Sequence, residues 1–172
     1  LHVQFLNIIG IYFFKRMKIQ VLTDKNSWIA ENFIGFVKSK LKKFSKNVEV
    51  ANNHKFLKKN CDLNIILSYS KIIPKKYLNR SKFNLVVHES NLPKGKGMSP
   101  LSWQILQNKK RIIFTLFEAD TKLDNGNIYY KKKVIIEKNL IFSEIKKIQI
   151  NESMKLIMNF LRHLKKNNIP PK

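Results

Sequence analysis

Phe83–Ile128 reads FNLVVHESNLPKGKGMSPLSWQILQNKKRIIFTLFEADTKLDNGNI, and the way its parts succeed one another decides the fold. Phe83 to Val87 is a short apolar run rich in Val and Leu, the pattern of a buried strand. His88 stands where that run ends. Ser90 to Gly97 is punctuated by Pro93, Gly95 and Gly97 and reads as a loop. Ser99-Pro100 predicts the start of a short helix, because Ser is a good N-cap and Pro fits the first helical turn. Trp103 is expected to bury that helix. RIIFTLFEA, from Arg111 to Ala119, is a second strand, and the turn LDNGNI then brings in Asp124. A histidine at the C-terminal end of one strand, met by a carboxylate from a later strand end, is suited to handling protons. Ligands in open α/β sheets bind outside those ends.

Upstream, KIQVL (Lys18 to Leu22) is a first strand, followed by an amphipathic helix from about Ser27 to Phe44 with Ser27 as its cap. The connection TDKNSW has no glycine, which disfavours a dinucleotide-binding loop. NVEVANN is a second strand, HKFLKKN a short helix, and LNIIL (Leu63 to Leu67) a third strand buried on both faces. Downstream, YYKKKVIIEKNLIF suggests another strand. Ser143 to Leu164 has helical periodicity, with Glu144, Asn151 and Glu152 as polar breaks and His163 near its C-terminal end. Strands alternating with helices predict an α/β fold, a doubly wound and mostly parallel sheet with helices on both faces. The expected division is an extension over 1–16, one domain over 17–164, and a tail over 165–172. The apolar part of 1–16 is shorter than the ~20 residues that span a bilayer, so an upstream extension or a peripheral anchor is expected rather than a membrane span.

A chain of 172 residues with 44% hydrophobic residues is one globular domain by size. Its net charge is +23, but the basic residues are almost all lysines spread along the chain among many Asn and Ile. That spread favours compositional bias over a nucleic-acid patch, while the field still attracts anionic substrates such as nucleotides. The single cysteine, Cys61, cannot form an internal disulfide and is expected to be a buried, inert thiol in a cytoplasmic protein. No Cys/His cluster supports a metal site.

His88-Glu89-Ser90-Asn91-Leu92-Pro93, then Gly97, Pro100 and Trp103, Thr115-Leu116, and Asp124-Asn125-Gly126-Asn127-Ile128 together resemble the N10-formyltetrahydrofolate-dependent formyltransferase family. The separation of His88 and Asp124, 124 − 88 = 36 residues, agrees with that family. The resemblance spans about Met17 to Phe142. It implies a formyltransferase, Rossmann-like fold and transfer of a formyl group from N10-formyltetrahydrofolate, as co-substrate, to an amine. The family includes glycinamide ribonucleotide, methionyl-tRNA and amino-sugar enzymes. The wording HESNLPKGKG points to an amine on a nucleotide-linked amino sugar, and a C-terminal barrel of the tRNA enzymes is not expected here. The alternatives are the catalytic domain of a methionyl-tRNA formyltransferase, with tRNA as partner, and a folate- or nucleotide-binding relic without turnover. A homodimer is one admissible assembly, and no membrane partner is expected.

Within the resemblance, His88 is the proton carrier and Asp124 the group that orients it. Tyr69, Ile72, Ile73 and Pro74, in the segment SYSKIIPKKYL, correspond to the folate pocket, joined by Phe117 and Leu123. Ser90, Lys94 and Lys96 form the substrate loop, with the two lysines as well explained by facing water. Two departures stand out. The family's Asn two residues before the histidine is Val86, and its His after Thr-x is Phe117. A valine cannot hydrogen-bond an oxyanion, and Asn84, four residues before His88, lies roughly 13 Å back from it along an extended strand. Asn91, Asn125, a backbone N–H or protonated His88 are the remaining donors.

Overall fold

The computed structural model describes residues 17–137 and 139–166. The expectations for 1–16 and for the end of the tail, 167–172, lie outside the described residues. Four strands run in parallel, in the order β2 (Asn47–Ala51), β1 (Lys18–Leu22), β3 (Cys61–Ile66), β4 (Ser81–His88), and two antiparallel strands, β5 (Arg111–Glu118) and β6 (Ile128–Ile135), extend the sheet beyond β4. The mostly parallel, doubly wound sheet is therefore as expected. Between β4 and β5 lie the 90–99 loop and the short helix α4 (Pro100–Leu106), after which β5 returns antiparallel beside β4.

Helices cover both faces. On one face lie α1 (Trp28–Asn32), α2 (Ile34–Leu41) and α5 (Phe142–Lys165). Ile150, Met154, Ile157 and Leu161 of α5 are buried in the main core with Ile19, Val21, Leu63, Ile65 and Leu85 of the sheet. Their spacing is that of a single helix stripe, and each such full burial stabilises by about 1.5–3 kcal/mol. On the other face, α3 (Lys75–Leu78) and a 3-10 turn (His54–Phe56) close a smaller core around Leu22, Leu57, Ile66, Ile73 and Leu78. Cys61 is buried at the start of β3, and burial pushes its thiol pKa up, as an inert thiol requires.

Several local expectations are corrected. The helix expected over 27–44 is two helices, broken at Phe33, whose backbone (φ −129°, ψ 0°) leaves the helical region. Ser27 does cap the first, accepting a hydrogen bond from the Ala30 N–H. Ser99 adopts a left-handed conformation (φ 51°), so its side chain makes no capping bond to α4. Trp103 is 63% exposed: α4 turns Leu101 inward, and a residue two positions on falls on the opposite side. The polar residues of 143–164 do not break α5. Glu144 caps its start by accepting from the Ile141 N–H, and Glu152 pairs with Lys132 and Lys155. His163 meets the Tyr130 hydroxyl.

Candidate active site

β4 delivers His88 as its last residue, and the polypeptide leaves the sheet there through the 90–99 loop. β5 runs back antiparallel, with Thr115 beside His88 and Glu118 beside Leu85. The segment 119–127 then folds back toward the strand end and brings Asp124 to His88, Nε2 to Oδ2 at 3.5 Å. Both side chains are about nine-tenths buried. The His88 Nε2 is also 2.9 Å from the Gly95 carbonyl. A nitrogen facing a carbonyl and a carboxylate carries the proton, which leaves Nδ1 as the nitrogen able to take one up. Asp124 is itself fixed from the loop side, accepting from the Gly97 N–H at 2.9 Å.

Two features of the backbone make this meeting. Asp124 sits in the left-handed region (φ 46°), which Asp tolerates better than most residues. Gly126 packs so tightly that a Cβ there would lie 1.6 Å from the Glu118 carbonyl oxygen. Non-glycine residues with positive φ recur around the site, at Ser68, Ser99 and Asp124, and such costly conformations gather where function demands them.

His88 and Asp124 open onto a cavity of about 390 Å³. On one side it is continuous with a recess of about 110 Å³ lined by Tyr69, Ile72, Ile73, Phe117 and Leu123, with Tyr69, Val86, Leu123 and Asp124 among the residues shared between the two. Five of the six residues matched to the folate pocket thus share one recess. Pro74 is not among its walls; it is exposed and precedes α3. Tyr69 is held by the 3-10 turn, its hydroxyl 2.8 Å from Nδ1 of His54. Val86 contributes an apolar surface to both spaces, between its neighbours Ile66 and Phe117 in the sheet. Asn84 is buried one pleat further back, bonded to Asn64 and to the Leu78 carbonyl.

The other proposed donors are not brought into the cavity. Asn91 is exposed with its amide oxygen held by Lys131 (2.8 Å), and Asn125 is exposed with its oxygen held by Lys96 (2.7 Å). Of the substrate loop, Ser90 closes its own turn by donating to the Lys94 carbonyl, and Lys94 and Lys96 face outward. None of the three lines the cavity.

The opposite wall is one that the sequence reading passed over. It is built from the start of α1 (Asn26, Ser27, Trp28) and from Lys146, Gln149 and Ser153 of α5. Glu89, next to the histidine, is buried among them and accepts from Gln149 Nε2 at 2.7 Å. Gln149 Oε1 in turn accepts from the Lys146 ammonium at 2.9 Å. Burial pushes the Glu89 carboxyl pKa up, and pulls the Lys146 ammonium down against the opposing charge of Glu89. One signal was present in the sequence: Lys146, Gln149 and Ser153, three and four residues apart, form a polar stripe on an otherwise apolar helix face. Among the described residues no group of His, Cys, Asp and Glu could hold a metal ion, and no helix is long and apolar enough to cross a membrane.

Comparison with known proteins meets this geometry. The sequence model of the formyl transferase family matches residues 17–160. A methionyl-tRNA formyltransferase of Clostridium perfringens (strain SM101 / Type A) is 30% identical over 111 residues, 64% of this chain and 36% of that protein, so the chain matches about a third of the length of such curated relatives. Among solved structures, methionyl-tRNA formyltransferase from Clostridium thermocellum superposes with a TM-score of 0.65 and 26% identity, over 91% of this chain and 68% of that one. The formyltransferase PseJ from Anoxybacillus kamchatkensis, solved with UDP-4,6-dideoxy-4-formamido-L-AltNAc and tetrahydrofolate, shares the fold with a TM-score of 0.61 and 24% identity, over 90% and 82%. With the family pattern matched across the span that carries the sheet, His88 and Asp124, the chain belongs to the formyl transferase family.

Proposed function

We propose that this chain transfers a formyl group from N10-formyltetrahydrofolate to the amine of a nucleotide-linked amino sugar. The observation that carries the reading is the His88–Asp124 pair, 3.5 Å apart at the junction of a 390 Å³ cavity and a smaller recess. The recess of Tyr69, Ile72, Ile73, Phe117 and Leu123 takes the folate ring system, and the larger space takes the acceptor. The acceptor nitrogen attacks the formyl carbon and the carbonyl electrons move onto oxygen. His88 takes the proton that the nitrogen loses and returns it to N10 of the folate as the bond from N10 to the formyl carbon breaks. Asp124 orients the imidazole and balances its charge while it is protonated. Val86 offers the oxyanion nothing, and the amides of Asn91 and Asn125 are held outside, so the imidazolium formed in the same step is the side-chain donor left to it.

Incubation with N10-formyltetrahydrofolate and a panel of nucleotide-linked amino sugars tests this, with N-formyl product detected by mass. His88→Ala is expected to lower kcat by roughly 10²- to 10⁴-fold. Full activity in that variant overturns the assignment, and folate binding without product by the wild type makes the chain a binding module. The 30%-identical methionyl-tRNA formyltransferase supports a second reading, in which the acceptor amine is carried on a tRNA. Retention of tRNA that falls steeply with salt, together with formylation of methionyl-tRNA, favours that acceptor instead.

A further inference from the structure

We infer that His54 is a positioning residue for the formyl donor: its neutral imidazole holds the Tyr69 hydroxyl, fixing a wall of the recess assigned to the folate ring system, and protonation of the imidazole loosens that wall. The inference rests on that assignment of the recess. The direction of the bond follows from its neighbours. The Tyr69 hydroxyl oxygen lies 3.1 Å from the backbone nitrogen of His54 and 2.8 Å from Nδ1 of the same residue. A backbone N–H can only donate, so the phenolic oxygen accepts there and turns its own O–H toward Nδ1. Nδ1 is therefore the acceptor, and the ring proton sits on Nε2. Burial holds the Tyr69 phenol pKa above its usual value, with the charge of Asp24 adding to the effect, so the hydroxyl keeps the proton that it donates.

Tyr69 belongs to the segment 67–74, which joins β3 to α3 and supplies Ile72 and Ile73 to the same recess. The segment is tied down at two neighbouring residues. Asp24 accepts from the Ser70 N–H at 2.8 Å, and His54 takes the Tyr69 hydroxyl. An imidazole is the kind of group that changes charge between about pH 5 and 8. Protonation aims a second N–H at an oxygen that already accepts one, and it places a cation among others. Lys55 follows His54 on its own turn, Lys71 comes from the 67–74 segment and Lys76 from α3. The ring also packs against Tyr77, 4.8 Å between centroids, and that ring carries Lys76 and Arg80. Burial first, and then the three lysines, hold the imidazole pKa below its ordinary 6.5. The tie is therefore whole at neutral pH and is lost as pH falls below that value.

The experiment is calorimetric titration of the full chain with 5-formyltetrahydrofolate, a stable isomer of the donor, from pH 8 down to pH 5.5. Wild type is expected to bind more weakly at the acid end by roughly two- to tenfold, the worth of one hydrogen bond. His54→Asn keeps an acceptor near the place of Nδ1 and takes up no proton, so it is expected to hold the wild-type pH 8 affinity across the range. Tyr69→Phe and His54→Ala are expected to lose the same factor at pH 8, and the double variant to lose no more than either alone. If His54→Ala proves misfolded by circular dichroism, Tyr69→Phe and His54→Asn carry the comparison. Nitrogen NMR of the ligand-free protein, with the His54 signals identified by their loss in His54→Asn, is expected to show the Nε2–H tautomer at pH 8. An Nδ1–H tautomer, a pH slope undiminished in His54→Asn, or losses that add in the double variant overturns the inference. Binding indifferent to both pH and Tyr69→Phe overturns it too, and leaves the folate reading intact. A wild type that binds no 5-formyltetrahydrofolate at any pH sinks the folate reading itself, and the inference with it, even where NMR shows the tie between His54 and Tyr69.

Discussion

Val86 is the residue at which the site departs most from its family's pattern. It lies between Ile66 and Phe117, partly buried on the face that carries His88. One oxyanion donor is worth roughly 100- to 1000-fold in rate, so Val86→Asn is expected to raise kcat for formyl transfer by at least tenfold. The gain has an opposing term. An amide placed among apolar side chains costs about 1–3 kcal/mol if it is left unpaired, so the variant is expected to melt lower than wild type unless a bound oxyanion engages it. Steady-state kinetics and thermal melts on the same preparation check both halves; an unchanged kcat means that the oxyanion is already served. His88 and Asp124 were legible in the sequence because strand ends and a turn mark them and their spacing constrains them. Asn91 and Asn125 were not, since what decides their orientation is a lysine 40 and 29 residues away, Lys131 and Lys96.

The element on which catalysis depends most is the return segment 119–127. It is short, it follows the register shift of β5 on β6 between Leu116 and Phe117, and it presses Gly126 against the Glu118 carbonyl. No side chain fits there without moving the backbone. Gly126→Ala is therefore expected to destabilise the fold by more than the roughly 1 kcal/mol by which ordinary substitutions do, and to lower kcat by displacing Asp124. Thermal melts measure the first and formyl transfer the second; wild-type values for both mean that the turn has room to give. The strands were legible as elements because alternation and β-branched content are local properties. The break at Phe33 and the exposure of Trp103 were not. The first depends on how α1 and α2 fit the sheet, and the second on which side of a seven-residue helix meets the core.

At the scale of the whole molecule, the carboxyl of Glu89 sets a pH dependence of stability. Burial holds its folded pKa above the unfolded value near 4.5. Below that value both states are protonated and the stability is fully present. As pH rises, the unfolded chain gives up its proton first, and stability falls until the folded carboxyl ionises as well. Glu89→Gln keeps an acceptor for Gln149 and removes the titration. Its melting temperature is expected to exceed wild type at pH 8 by more than at pH 4, and a constant difference between the two would show that Glu89 is not the group responsible. The doubly wound architecture was legible throughout, because alternation of strands with helices is a property of the entire pattern. The α5 wall of the cavity was not, because Lys146 and Gln149 acquire meaning only once tertiary packing sets them beside Glu89.

β6 pairs on one side only, with β5, at the outer margin of the sheet among the described residues. Such a strand offers unsatisfied backbone donors and acceptors to any other extended polypeptide. Lys131, Lys132 and Lys133 occupy its middle. Lys132 is paired with Glu152, but the exposed ammonium groups of Lys131 and Lys133 make the approach of a second such strand electrostatically unfavourable, so lysines that swell the positive charge also oppose stacking of one molecule on another.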